Sequence, residues 1–244
     1  MILPRPQDAI HKMQLYRLLS AVLDDPSIAS QVNFKGGTAA AMLGFLDRFS
    51  IDLDFDLKEK ANKNKLHIGL QKIFSDLELE MKQKSKGELF YLLKYQAKAG
   101  ERNTIKLGLL EQSTKHNVFA PYYLHEIDRF ANCQTIETMF SHKLVSLTDR
   151  YKKYQMIAGR DIYDIHHFFL QGIGYIDEII QERTGKKAPD YLKELKTFID
   201  KKITDTIISQ DLNYLLPIAK FQHIRKSLKR ETLLFLSDEI KRIF

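Results

Sequence analysis

Three aspartates alternate with apolar residues over Ile51-Asp52-Leu53-Asp54-Phe55-Asp56-Leu57. In a strand, residues two apart share a face, so Ile51, Leu53, Phe55 and Leu57 line one side and Asp52, Asp54 and Asp56 the other. Like charges on one strand face repel, and aspartate disfavours strands. A divalent cation between Asp52 and Asp54 relieves the repulsion. Two carboxylates completed by substrate phosphates are a common way to hold Mg²⁺ or Mn²⁺. Asp56 lies farther along the same face and is expected at the surface.

Shortly upstream stands Gly36-Gly37-Thr38, before a run of small residues. Glycine lets backbone N–H groups approach a phosphate, and a helix N-terminus behind it favours negative charge. Thr38 adds a hydroxyl donor to that cradle, or serves as the N-cap of the helix. Farther on, Lys143 interrupts the helical stripe of Ile136, Met139, Phe140, Leu144 and Leu147. An inward lysine snorkels or meets an anion, and a triphosphate would serve. Asp161 and Asp164 share a helix face at i,i+3, opposite Ile162, Ile165 and Phe169. They are either a polar wall of a site or a salt-bridged surface in which Arg160 pairs with Asp164.

The elements that position these residues follow from periodicity. Residues 6–24 read as a helix with apolar positions Ile10, Met13, Leu15, Leu18, Leu19 and Val22, ended by Asp25-Pro26. Residues 31–35 read as a strand, 38–46 as a helix, 51–57 as a strand and 65–83 as a helix. Residues 88–97, 103–110 and 117–124 read as strands enriched in Tyr and Phe. Residues 135–150, 160–171, 174–184, 189–204, 210–216 and 222–243 all fit helices. The expected fold is α+β, a mixed sheet with helices followed by a helical domain, with a boundary near 131. Residues 1–131 form the core, and 132–244 complete the active-site cleft.

The chain has 244 residues and a net charge of +7, with an isoelectric point near 9.2. A polyanionic partner is compatible with that charge. Basic residues cluster at Lys143, Arg150, Lys152, Lys153 and Arg160, and again at Lys220, Arg225, Lys226, Lys229 and Arg230. Either run could follow a phosphate backbone or be a solvated face. One cysteine, Cys133, excludes an intrachain disulfide and reads as a buried apolar thiol. His166 and His167 are adjacent, point to different helix faces and do not form a zinc pair. No stretch is long and apolar enough to span a membrane, and Met1 to Pro6 carry no signal-peptide pattern. A soluble cytoplasmic protein is expected.

The spacing of Gly36-Gly37, a short helix and Asp52-x-Asp54 resembles the nucleotidyltransferase superfamily. More closely, Phe34-Lys35-Gly36-Gly37-Thr38-Ala39 with Arg48-x-Ser50-x-Asp52-x-Asp54-Phe55 is similar to the AbiEii/AbiGii-type toxin family. Lys143-Leu144 and Arg160-Asp161-Ile162-Tyr163-Asp164 are similar to that family's downstream elements, so the resemblance spans roughly residues 30–170. It implies Mg²⁺-dependent transfer of a nucleoside monophosphate from an NTP to an RNA hydroxyl, tRNA foremost. It also implies a cognate antitoxin and a role in toxin–antitoxin or phage-defence systems. On this resemblance Asp52, Asp54, Lys143 and Asp161 are the catalytic residues, and Lys35, Gly36, Gly37, Thr38, Arg48, Ser50 and Asp164 bind the nucleotide. Family members often carry a third acid near Gly108; this chain does not, and Glu111 lies three residues on, pointing to the opposite strand face. The missing acid leaves open a catalytically weak nucleotide-binding module that acts by binding a partner or RNA.

Overall fold

The computed structural model describes residues 1–85, 87–112 and 114–243. The chain divides into two compact units. The first comprises Met1–Gln112 and Phe119–Gln134, and the second the rest of the chain.

The first unit opens with α1 (Asp8–Asp24), α2 (Pro26–Ala29), β1 (Val32–Lys35), α3 (Gly36–Met42) and β2 (Asp52–Leu57). It continues with α4 (Lys63–Asp76), β3 (Glu80–Lys84), β4 (Leu89–Lys94), β5 (Thr104–Leu110), β6 (Phe119–Leu124) and β7 (Arg129–Gln134). Asp25 ends α1 and caps α2, its carboxylate accepting from the Ser27 N–H at 2.9 Å. The buried stripe of α1 is Asp8, His11, Leu15, Leu18, Leu19 and Val22. Its N-terminal half is therefore polar, and Met13, expected in the core, is exposed. Each fully buried leucine of the stripe contributes about 2 kcal/mol.

The seven strands form one mixed sheet in the order β3-β4-β5-β2-β1-β7-β6. β2 runs antiparallel to β1 and parallel to β5, and β1 runs parallel to β7. On the apolar side Phe34, Leu53, Phe55, Tyr91, Leu107 and Cys133 are buried, and α4 packs there through Phe74, whose ring meets Tyr91 at 5.2 Å. Two elements differ from expectation. The helix expected to reach 83 ends at Asp76, and Glu80–Lys84 is instead an exposed edge strand paired with β4. Residues 129–134, without a strand signal of their own, are pulled into the sheet by β1 and β6.

The second unit is helical: α5 (Ile136–Tyr154), α6 (Gly159–Leu170), α7 (Asp177–Thr184), α8 (Ala188–Lys202), α9 (Asp205–Leu212), α10 (Ile218–Ile224) and α11 (Leu228–Arg242). Thr135 caps α5. α6 packs against α5, α9 and α11 and is buried on nearly every side. The span expected as one helix over 222–243 is two, α10 and α11, and the helix expected at 210–216 is α9 at Asp205–Leu212. No described helix is long and apolar enough to cross a membrane.

Candidate active site

The polar face of the sheet gathers the residues of the first unit. In β1 and β2, Lys35 stands opposite Asp54 and Asn33 opposite Asp56. Across the parallel pair, Asp52 stands beside Lys106 and Asp54 beside Gly108. Asp52 is half-buried, and its carboxylate makes no hydrogen bond or ion pair with a described residue. Asp54 lies against the turn into α3. Gly36 has φ +81°, a conformation favouring glycine, and a Cβ there would sit 2.8 Å from Asp54 Oδ2. A Cβ on Gly37 would sit 3.0 Å from both Arg48 Nη2 and Ser50 Oγ. The two glycines thus let the turn close onto the carboxylate strand and its approach.

Thr38 is buried and does not cap α3, whose N-cap is Lys35. Its hydroxyl donates to the main-chain oxygen of Asp52 and lies 2.9 Å from Ser50 Oγ. Arg48 is buried, and its Nη1 donates to the Phe49 carbonyl at 2.9 Å. Lys35 pairs with Asp56.

Asp56 corrects the expectation of surface exposure: it is fully buried. Lys35 Nζ donates to one carboxylate oxygen and Gln134 Nε2 to the other, at 2.7 Å. Burial pushes its pKa up, and the lysine and amide pull it down. Gln134 comes from β7, 78 residues away in sequence, which is why alternation alone read Asp56 as solvated. Glu111 is on the surface, 2.7 Å from Lys63.

His11 was missed. It is buried, with Nε2 donating to the Ile51 carbonyl at 3.0 Å and Nδ1 lying 2.7 Å from the Tyr95 hydroxyl. With the Thr38 bond, side chains thus hold two successive carbonyls where β2 begins. Burial lowers the His11 pKa to about 4; the Ile51 bond raises it, Arg102 lowers it and Asp8 raises it. The available signal was its helical spacing with Leu15 and Leu18.

In the second unit, Lys143 Nζ lies 2.8 Å from Asp164 Oδ2 and 3.7 Å from Asp161 Oδ1. Arg150 Nε donates to Asp161 Oδ2 at 3.3 Å. Asp161 and Asp164, weighed as a salt-bridged surface, are both buried. Asp161 Oδ1 has no hydrogen bond among the described residues. The inward lysine therefore meets anions of its own chain. His166 Nε2 lies 2.8 Å from Glu231 and His167 Nε2 2.9 Å from Gln171, so the adjacent pair points apart. No group of three or more metal-ligating side chains occurs among the described residues.

A glycine turn closed onto an Asp-x-Asp strand of a mixed sheet is the arrangement of nucleotidyltransferases, and this chain is one. It belongs to the family described as nucleotidyl transferase AbiEii toxin, Type IV TA system, which matches residues 17–237. Among solved structures it is similar to JHP933 from Helicobacter pylori, at 19% identity and TM-score 0.60, covering 99% of this chain and 94% of that one. A candidate nucleotidyltransferase from H. pylori is similar at 18% identity and TM-score 0.63, covering 98% and 99%. At these identities the likeness is one of fold. No curated protein matches the chain.

Proposed function

We propose that this protein is a toxin that transfers a nucleoside monophosphate from an NTP to a hydroxyl of RNA, tRNA foremost, with Mg²⁺ or Mn²⁺. The observation that carries this reading is the half-buried Asp52 carboxylate, without a partner among the described residues, beside Asp54 and the glycine turn. Two carboxylates on one strand face suit a divalent cation whose remaining ligands are phosphate oxygens and water. Asp52 and Asp54 would hold it. When bound, it would supply charge stabilisation at the phosphates. The acceptor hydroxyl oxygen forms a bond to the α-phosphorus, the bond to the bridging oxygen breaks, pyrophosphate leaves and the hydroxyl proton passes to solvent.

Gly36 and Gly37 shape the phosphate side of the turn. Thr38, Arg48 and Ser50 support it through their contacts with Gly37 and the Asp52 backbone. Residues 1–131 supply these groups; within the helical unit, Lys143, held by Asp161 and Asp164, is the group proposed to act on phosphate charge. The protein acts in the cytoplasm, where NTPs and RNA occur, with an antitoxin as its cognate partner, in a toxin–antitoxin or phage-defence setting. The glycine at 108 favours a second reading, a nucleotide-binding module with little transfer. Incubation with each α-labelled NTP, Mg²⁺ and total RNA tests both. Label entering RNA, and lost with Asp52→Asn, supports transfer. Nucleotide binding without label transfer would leave the binding module.

A further inference from the structure

We infer that Lys106 is a nucleotide-contacting residue of the transfer site and that this site takes one divalent cation. The inference rests on the transferase reading above. Parallel strands lie about 4.8 Å apart, and residues paired across them share a face. The register therefore sets Lys106 beside Asp52 and Gly108 beside Asp54. The next strand adds Phe90 beside Gly108, Leu92 beside Lys106 and Lys94 beside Thr104. On β4 and β5, this face carries two lysines and no carboxylate.

Two-metal phosphoryl-transfer sites place their cations about 3.5–4 Å apart. Holding two dications so close calls for anionic ligands around both. Here the position next to Asp54 is a glycine; a Cβ added there would lie 3.4 Å from Asp54 Oδ1. The position next to Asp52 is an ammonium, which repels a second dication. Asp52 and Asp54 are left to hold one.

Lys106 itself is exposed and makes no hydrogen bond or ion pair with a described residue. It does not close onto Asp52, its neighbour in register. Carboxylate and ammonium thus stand side by side, each with its bonding capacity open. A metal–triphosphate fits that pairing: the cation on the carboxylates and an anionic phosphate oxygen on the lysine. The positive charge that a second metal would bring is then supplied by a side chain.

Mn²⁺ binding followed by electron paramagnetic resonance tests this, with the α,β-methylene analogues of ATP, GTP, CTP and UTP added in turn. One equivalent of Mn²⁺ per chain is expected with the preferred analogue. Lys106→Met should weaken that analogue by about tenfold or more, the scale of a charge-assisted hydrogen bond, with the Mn²⁺ count unchanged. Lys106→Arg should keep most of the affinity. Two equivalents on the wild-type chain would overturn the inference, as would unchanged analogue affinity in Lys106→Met. Failure of the wild-type chain to bind any analogue with Mn²⁺ would instead overturn the transferase reading on which it rests.

Discussion

The hydroxyl of Thr38 donates to the main-chain oxygen of Asp52. β1 ends where Lys35 pairs with Asp54, so the strand tip at Asp52 has passed its antiparallel neighbour. Thr38, in the first turn of α3, supplies the donor that the sheet no longer offers. The glycine turn and the carboxylate strand are thereby locked together, and a residue read from sequence as a phosphate donor holds protein to protein. Thr38→Val should orphan a part-buried carbonyl and cost about 1–3 kcal/mol. Thr38→Ser should restore most of it. Chemical denaturation of the two variants measures the difference; equal stability of Thr38→Val and wild type would refute the lock.

Asp52→Asn keeps size and removes charge. Transfer should fall by at least about 10²-fold, on the scale of losing one charge-stabilising group at a reacting phosphate. Because the Asp52 carboxylate makes no hydrogen bond or ion pair with a described residue, the melting temperature should barely move. A large loss of stability together with full activity would reverse its assigned role.

Lys35 pairs with a fully buried carboxylate. Lys35→Met removes the ammonium from a buried carboxylate, and breaking such a pair costs about 3–5 kcal/mol. Adding Asp56→Leu should recover much of the loss. Denaturation midpoints of the single and double variants decide it. Were Lys35 chiefly a phosphate ligand, the single variant would lose nucleotide affinity with stability intact.

Lys143 invites a similar comparison. The apolar stripe around it suggests that methionine would be tolerated, but the structure shows two buried aspartates on its ammonium. Lys143→Met should therefore destabilise by about 3–5 kcal/mol. Lys152→Met is the control, since Lys152 is exposed and 3.8 Å from Glu194, and should stay within about 0.5 kcal/mol of wild type. If the two variants melt alike, the buried cluster is not holding α5 to α6.

His11 gives a pH dependence. Its folded pKa is lowered to about 4 from 6.5. Between those values the unfolded chain takes up a proton that the folded chain refuses, so stability is present above about 6.5 and is lost as the pH falls toward 4. The full loss is about 3 kcal/mol. Denaturation at pH 7, 6 and 5 should show the decline, and His11→Gln, which can still donate to Ile51, should flatten it.

The strand of alternating aspartates, the glycine turn and the helical second half could all be read from period and composition, because each rests on local pattern. What escaped reading depends on distant partners. Asp56 is buried because Gln134 arrives from another strand. Glu80–Lys84 is exposed at every position, so no alternation marks it; only pairing with β4 makes it a strand. Asp161 and Asp164 sit on a helix buried on nearly every side, where the side opposite the apolar stripe is also interior, filled by Lys143 and Arg150.

Cys133 stands on β7 in register with Phe34, fully buried, its pKa pushed up to about 12 by burial. As the only thiol in the chain, it makes the sheet its own reporter. An alkylating reagent can reach the sulfur only when the sheet opens around β7, between β1 and β6, so the mass gained in a timed pulse counts molecules that have opened there, with no label to introduce.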